Sequence, residues 1–271
     1  MDNRPIGVFD SGLGGLTVVR ELSKHLPHEN LIYFGDTGRV PYGSRSPEMI
    51  RRFALQDSRF LLSHDVKCII AACGTVSSIA SDLLSSLPVP AWGVVEPTAD
   101  QALSATKNGK IGVLGTAVTV QSRSFELALQ NRCPTVQVIA KACPVLVSLV
   151  ESGWIEEDNL ATEAVLRRYL QPLIDAGVDT VILGCTHFPL LSPLISRIMG
   201  EEVTLINSGA ACAAHCKTVL QQNDASAAGN ENGHCEFFVS DRPHNFTNVA
   251  QMFLGKAVEQ DVHQIRVEDL S

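Results

Sequence analysis

The stretch Val178–Pro189, VDTVILGCTHFP, decides how the rest of the chain is read. An apolar run at 181–183 ends at a glycine and is followed by Cys185, Thr186 and His187. A short aliphatic run bounded by glycine predicts a buried strand of a parallel sheet. Ligands of open α/β sheets bind at the carboxyl ends of such strands, so the three side chains fall at a candidate site.

The same shape occurs earlier, at Val66–Val76, VKCIIAACGTV. Aligning the two stretches puts Cys73 over Cys185. The repeat extends upstream, where residues 6–11 (IGVFDS) are echoed by residues 111–116 (IGVLGT). We therefore predict two similar α/β halves, related by duplication, that each place one cysteine at a strand end facing a shared cleft.

Composition and charge limit the classes of protein to consider. The 271 residues are 45% apolar and 18% charged, which is ordinary globular composition. A net charge of -8, with no run of Lys or Arg longer than two, predicts no nucleic-acid partner. The absence of a signal-peptide pattern and of a span of about 20 apolar residues predicts a cytoplasmic protein with no membrane partner. In that compartment the eight cysteines are expected to be reduced thiols.

Predicted strands and helices alternate along the chain, which indicates an α/β fold with mostly parallel central sheets. We expect two similar domains related by a pseudo-two-fold duplication, with the active site in the cleft between them. The first domain is predicted to comprise residues 1–97 plus 208–271, and the second residues 98–207. Within the first domain, a single helix is predicted from about Val76 to Leu87.

Several turns bring polar groups to strand ends. They are Asp10-Ser11, Pro41-Tyr42-Gly43, and the hydroxyls of Thr116 and Thr119, which occupy in the second half the place of Asp10-Ser11 in the first. The glycine-rich turn after Asp10 lacks the GxGxxG spacing, which argues against dinucleotide binding. The Pro41-Tyr42-Gly43 turn offers a ring and a free N–H at the cleft edge, although a plain surface turn explains it equally well.

Two thiols on opposite sides of one cleft are suited to stereochemical inversion. One removes a proton from a carbon atom while the other returns a proton to the opposite face. Cys73 and Cys185 each precede a predicted helix start, whose N–H groups would favour a thiolate. Asp10, His187 and Glu151 are candidates to hold or shuttle the thiol proton. No lysine follows a strand end in the way that a pyridoxal phosphate imine would suggest, so no cofactor is predicted.

Other interpretations of the cysteines stay open at this point. A buried cysteine near a strand end is commonly a small hydrophobic residue of the core. Cys212, His215 and Cys216, with His234-Cys235 downstream, superficially resemble zinc spacing, but their alanine-rich setting favours core packing, and no metal is predicted. A cysteine hydrolase needs one Cys–His pair rather than two related thiols.

Seven sequence blocks together resemble the cofactor-independent glutamate racemases. They are DSGLGGLTV (Asp10–Val18), YFGDTGRVPYG (Tyr33–Gly43), ACGT (Ala72–Thr75), GVVEP (Gly93–Pro97), ACPVLVSLVESG (Ala142–Gly153), LGCTHFPLL (Leu183–Leu191) and FFVSD (Phe237–Asp241). The blocks follow the family's order and cover most of the chain, so their combination is far more specific than any one of them.

The resemblance implies interconversion of L- and D-glutamate, which supplies D-glutamate for peptidoglycan, by a homodimer that needs no cofactor. It implies that Cys73 and Cys185 are the paired acid and base, assisted by Asp10, Glu151 and His187. The expected substrate contacts, including those taken from the turns above, are Asp10, Ser11, Pro41, Tyr42, Gly43, Gly74, Thr75, Thr116, Thr119, Thr186 and His187.

One residue departs from the family pattern. Members usually carry Asn after the first cysteine, and this chain has Gly74. The missing amide predicts a loss on the order of 1.5–3 kcal/mol in glutamate binding unless another contact or a water molecule in the vacated space replaces it. Racemisation of aspartate or another amino acid is therefore an alternative activity. A protein whose main role is binding, like the family members that inhibit gyrase, is the alternative from a different class.

Overall fold

The strands form two separate parallel sheets in the computed structural model, which describes residues 1–229, 231–241, 246–257 and 262–270. The strands are β1 (Ile6–Asp10), β2 (Leu31–Gly35), β3 (Cys68–Ala71), β4 (Ala91–Gly93), β5 (Lys110–Gly115), β6 (Gln137–Ala142), β7 (Thr180–Leu183), β8 (Thr204–Asn207), β9 (Cys235–Val239) and β10 (Val262–Gln264).

Helices connect these strands. They are α1 (Leu16–His25), α2 (Pro47–Leu62), α3 (Gly74–Ile79), α4 (Ser81–Ser85), α5 (Val95–Ala105), α6 (Ala117–Gln121), α7 (Ser124–Arg132), α8 (Pro144–Glu151), α9 (Leu160–Ala176), α10 (Ser192–Met199), α11 (Ser208–Gln222) and α12 (Phe246–Leu254). Short 3-10 turns lie at Tyr42–Ser44, Phe188–Leu191 and Val267–Asp269. The longest helix, α9, begins with an Asn159 side-chain cap and ends at Gly177, whose φ of 67° suits glycine.

The two sheets repeat one strand order, which confirms the predicted α/β fold with two similar halves. The first sheet has the order β10-β9-β2-β1-β3-β4, and the second has β6-β5-β7-β8. Read from β4, the first sheet begins β4-β3-β1-β2. This order matches that of the second sheet read from β8, which is β8-β7-β5-β6. The register matches as well, because Gly7 pairs with Ile69 and Gly112 pairs with Val181.

The central strands are buried because helices cover both faces of each sheet. All five residues of β1 and all four of β3 and β7 are buried. The strands β3 and β7 end at Ala71 and Leu183, and Cys73 and Cys185 each lie two residues beyond those ends. This places the residues after the two strands at the edge where the sheets face each other.

Two local predictions were wrong. The helix predicted from Val76 to Leu87 is broken at Ala80, whose φ of -124° and ψ of 24° are not helical, so α3 and α4 are separate. Cys185 is followed by the 3-10 turn Phe188–Leu191 rather than directly by an α-helix, whereas Cys73 occupies the N-cap position of α3. Helix N–H groups therefore surround the first thiol and not the second.

Candidate active site

A cavity of about 450 Å³ lies between the strand ends of the two sheets. Both cysteines line it, and each is nearly buried, with 6% of Cys73 and 8% of Cys185 exposed. The first half of the chain contributes Ser11, Gly12, Val40, Pro41, Tyr42, Gly43, Ser44, Cys73, Gly74 and Thr75, and the second contributes Thr116, Ala117, Pro144, Val147, Ser148, Glu151, Gly184, Cys185, Thr186 and His187.

The sequence candidates therefore converge on one cavity, with two exceptions. Asp10 and Thr119 do not line the wall and are both buried behind it. The Thr119 hydroxyl lies 3.0 Å from that of Thr116, which does face the cavity. Thr119 thus orients a neighbouring hydroxyl rather than offering its own to a ligand.

Cys185 is the end of a chain of proton-carrying groups. Its Sγ lies 3.7 Å from Nδ1 of His187, and His187 Nε2 lies 3.0 Å from Oε1 of Glu151. Burial disfavours the imidazolium, but the hydrogen bonds to Cys185 and Glu151 outweigh burial and raise the pKa of His187 to about 10. His187 therefore stands between the Cys185 sulfur and the Glu151 carboxylate, within hydrogen-bond distance of both.

Cys73 has different surroundings. Its Sγ donates to the Ser11 hydroxyl at 3.6 Å. Burial, followed by the negative charge of Asp10, raises the pKa of Cys73 to about 12 despite the backbone N–H of Val76 and the Ser11 hydroxyl, which act in the opposite direction. The thiol is therefore protonated at neutral pH and able to donate a proton.

Asp10 is the last residue of β1 and is buried. Oδ2 accepts from the Gly12 N–H at 3.1 Å, and Oδ1 has no hydrogen-bond partner among the described residues. Burial raises the pKa of Asp10, although the charge of His187 and nearby backbone N–H groups oppose the rise. A buried carboxyl with an unpaired oxygen is costly, and such groups are often retained for function.

Tyr42 presents its ring to the cavity but not its hydroxyl. The hydroxyl donates to Asp36 and also lies 3.0 Å from Asp57 Oδ2, inside the first half of the chain. Arg39 joins the cluster, with 2.6 Å between its Nε and Asp36 Oδ2. The expectation of a ring at the cleft edge is met, and the same network anchors the turn that carries Pro41 and Gly43.

Hydroxyl groups join the two walls of the cavity. Thr75 Oγ1, from the first half, lies 3.1 Å from Thr116 Oγ1, from the second. Thr186, beside Cys185, faces the cavity, and its carbonyl accepts from the Thr17 hydroxyl at 3.0 Å. Hydroxyl groups can donate to a carboxylate or accept from an ammonium group of a small ligand without adding net charge.

The space vacated at Gly74 is not open to water. A Cβ built at Gly74 would lie 2.3 Å from the carbonyl oxygen of Gly184 and 4.0 Å from the Cα of Cys185. Real Cβ atoms do not approach oxygen so closely. The backbone of the second half thus fills the space where the side chain of an asparagine would begin.

Sequence reasoning missed two polar residues of the wall, Ser44 and Ser148. Ser148 lies three residues before Glu151 on α8, so helical periodicity could have placed both on one face. Ser44 directly follows the turn at 41–43, and no local signal marks it. Neither residue carries a group that titrates near neutral pH.

The donor set of the site does not suit a metal ion. Within the described parts of the chain, no group of three or more His, Cys, Asp or Glu side chains could hold one. Cys212 and Cys216, whose spacing resembled a zinc motif, lie on α11 and are fully buried in the core. The chemistry available in the cavity is acid and base transfer by thiols, imidazole and carboxyl groups.

Comparison with known proteins gives a consistent result. Residues 15–216 match the family described as Asp/Glu/Hydantoin racemase. The glutamate racemase of Geobacter metallireducens is 43% identical over 266 residues, which are 98% of this chain and 97% of that protein. A glutamate racemase isoform of Bacillus anthracis superposes with a TM-score of 0.93 at 37% identity, over 98% of this chain and 99% of that one. The Francisella tularensis glutamate racemase, solved with D-glutamate, gives 0.91 at 35% identity over 99% and 100%.

Proposed function

Because the chain belongs to the Asp/Glu/Hydantoin racemase family, we propose that it is a glutamate racemase that interconverts L- and D-glutamate. The observation that carries the proposal is the placement of two cysteines, from equivalent strand ends of two similar sheets, in the wall of one small cavity. The substrate is taken from relatives of similar length, which are named glutamate racemases.

The reaction is a transfer of one proton at each face of the α-carbon. In one direction the Cys185 thiolate takes the α-proton and becomes a thiol, leaving a carbanion. The Cys73 thiol then gives its proton to the opposite face and becomes a thiolate. The raised pKa of Cys73, about 12, and of His187, about 10, support this resting assignment of acid and base. The opposite direction starts from the reverse protonation states.

The helper residues act on the two thiols separately. His187, paired with Glu151, stabilises negative charge at Cys185 before the proton is taken. Asp10 is electrostatically coupled to both sides of the cavity. Its charge raises the pKa of Cys73, and the charge of His187 lowers the pKa of Asp10. Burial raises the pKa of Asp10, so its carboxyl is protonated more readily than an exposed one.

Substrate contacts are assigned to groups that line the cavity. The hydroxyls of Ser11, Thr75, Thr116 and Thr186 are the donors expected to meet the two carboxylates of glutamate. Backbone N–H groups of Gly43 and Gly74 lie in the same wall. The Tyr42 ring is expected to shape the pocket, since its hydroxyl is already bound to carboxyl groups.

The wider biological role is part of the same proposal. We propose that the D-glutamate serves peptidoglycan synthesis, that the enzyme works in the cytoplasm and that it forms a homodimer. We also propose residues 1–97 plus 208–271, and 98–207, as its two domains. In the described part of the chain, the structure contains no helix of the length and hydropathy needed to cross a bilayer.

The test is to measure racemisation of glutamate and of aspartate by circular dichroism, with solvent deuterium incorporation followed by NMR. We expect racemisation of glutamate, with one deuterium entering the product at the α-carbon. Faster turnover of aspartate than of glutamate would indicate that aspartate is the substrate. If neither Cys73→Ser nor Cys185→Ser loses activity, the two-thiol mechanism is overturned.

A further inference from the structure

Two glycines bring the backbones on either side of the cavity into direct contact. Gly74 follows the first cysteine, and Gly184 precedes the second. A Cβ at position 74 would lie 2.3 Å from the Gly184 carbonyl oxygen and 3.3 Å from its carbonyl carbon. Any side chain at position 74 therefore requires the two walls to separate.

The backbone of Gly184 is held from the side of the second sheet. Its N–H donates to the Leu114 carbonyl at 2.8 Å, which fixes the peptide just before the touching carbonyl to β5. A Cβ built at Gly184 would lie 2.8 Å from the Leu114 carbonyl oxygen and 2.9 Å from the Phe125 ring. The contact is thus supported by the packed interior of the second sheet.

Other contacts across the cavity are adjustable. A Cβ at Gly43 would meet the side chain of Thr116 at 3.1 Å, and a Cβ at Gly14 would meet the side chains of Thr186 and His187. Those side chains can rotate. At position 74 a Cβ would instead meet a backbone carbonyl, so the backbone of one wall would have to shift to relieve the contact.

We propose that Gly74 is a positioning residue that sets the separation of the two thiols. The proposal rests on the function proposed above. Cys73 and Cys185 are the direct neighbours of the two touching glycines, so the contact fixes how closely their strand ends approach. Both sulfurs must reach one α-carbon, and a displacement of about 1 Å can lower a reaction rate 10²-fold.

The separation governs inversion more strongly than proton removal. A thiolate can remove the α-proton without its partner, but inversion needs the opposite thiol within reach. When the walls are held apart, the thiol that removed the α-proton returns it to the carbanion. Once that thiol has exchanged with D₂O, the result is deuterium incorporation with retained configuration.

The experiment compares Gly74→Ala with Gly12→Ala in D₂O. A Cβ at Gly12 also lines the cavity but meets only Val40 of its own half, at 3.4 Å, which is ordinary contact. For each variant, the racemisation rate is divided by the rate of deuterium incorporation with retention. We expect this ratio to fall by about 10²-fold in Gly74→Ala and by a smaller factor in Gly12→Ala.

A crystal structure of Gly74→Ala supplies the second measurement, and we expect a longer distance between the two sulfurs than in the wild type. An unchanged ratio in a folded variant, or an unchanged sulfur separation, would overturn the proposal. If the wild type fails to racemise glutamate, the proposed function falls, whereas the sulfur separation still decides the positioning role.

Discussion

The two thiols occupy equivalent places in repeated sheets but have unlike surroundings. Cys185 lies beside a charged imidazole, with 3.7 Å between its Sγ and His187 Nδ1, and that imidazole is in turn held by Glu151. Cys73 is an N-cap residue of a short helix, meets a neutral hydroxyl of Ser11 and lies near the negative charge of Asp10. Duplication has therefore reproduced the backbone position and not the groups that control the proton.

The difference teaches that the proposed two-base site is asymmetric. In the proposed mechanism the acid, Cys73, has a pKa raised to about 12, and the base, Cys185, lies beside the His187 imidazole. Two identical surroundings would leave both thiols in the same protonation state, and one of them would have to change before each turnover. Removing the groups that distinguish the two sides should therefore affect the two substrate enantiomers unequally.

The largest effect on the two sides is expected when one of the two sulfur atoms is removed. Cys73→Ser and Cys185→Ser should each slow α-proton removal from one enantiomer by about 10²–10⁴-fold, with a much smaller effect on the other, because a hydroxyl is a far weaker base than a thiolate. Deuterium incorporation into L- and D-glutamate measures each side. Cys133→Ser, which lies outside the cavity, is the control. Equal, mild losses for both enantiomers would contradict the assignment.

Removing the cation sharpens the comparison. His187→Gln keeps a polar side chain but takes the charge away from Cys185, and we expect proton removal on the Cys185 side to fall on the order of 10²-fold. Exchange on the Cys73 side should change less. The measurement is the same pair of deuterium rates, taken at one pH. A uniform loss on both sides would indicate that His187 serves substrate binding instead.

The same charge predicts how stability varies with pH. The pKa of His187 is about 10 in the folded chain against an ordinary value of 6.5, so folding favours its protonated form. Its contribution is fully present below pH 6.5 and is lost as pH rises through 10. Urea unfolding at pH 6 and pH 10 should show the stability difference between wild type and His187→Gln shrinking by about 1.5–3 kcal/mol. A constant difference would contradict a charged imidazole.

The smallest effect is expected at the outer end of the chain of groups. The Glu151 side chain is 46% exposed, so water can partly replace its bond to His187. Glu151→Gln should lower the Cys185-side rate by less than about tenfold, since exposed charges contribute little. Glu157→Gln, an exposed acid on the following segment, is the matched control. A loss as large as that of His187→Gln would make Glu151 a direct participant.

The parts of the site that the sequence predicted depend on local patterns. The apolar runs before Cys73 and Cys185 mark buried strands, and the residues after a parallel strand fall at its ligand-binding end. The repeat in residues 6–11 and 111–116 then located the second sheet without further information. These inferences needed only the order of residues along the chain.

The parts that failed depend on contacts between distant residues. Nothing near Gly74 announces the Gly184 carbonyl that fills its side-chain space, because the two are 110 positions apart. The break at Ala80 has no glycine or proline to signal it, so helix propensity alone predicted one helix where there are two.

The edge of the first sheet has a consequence for the order in which the protein matures. β9 covers β2, yet its residues, 235–239, leave the ribosome after the whole of the second sheet. All strands of the second sheet are therefore synthesised while β2 of the first sheet still lacks its neighbour β9. We expect the second sheet to fold before the first sheet is complete. Until synthesis is nearly finished, the unpaired edge of β2 is expected to be prone to aggregation.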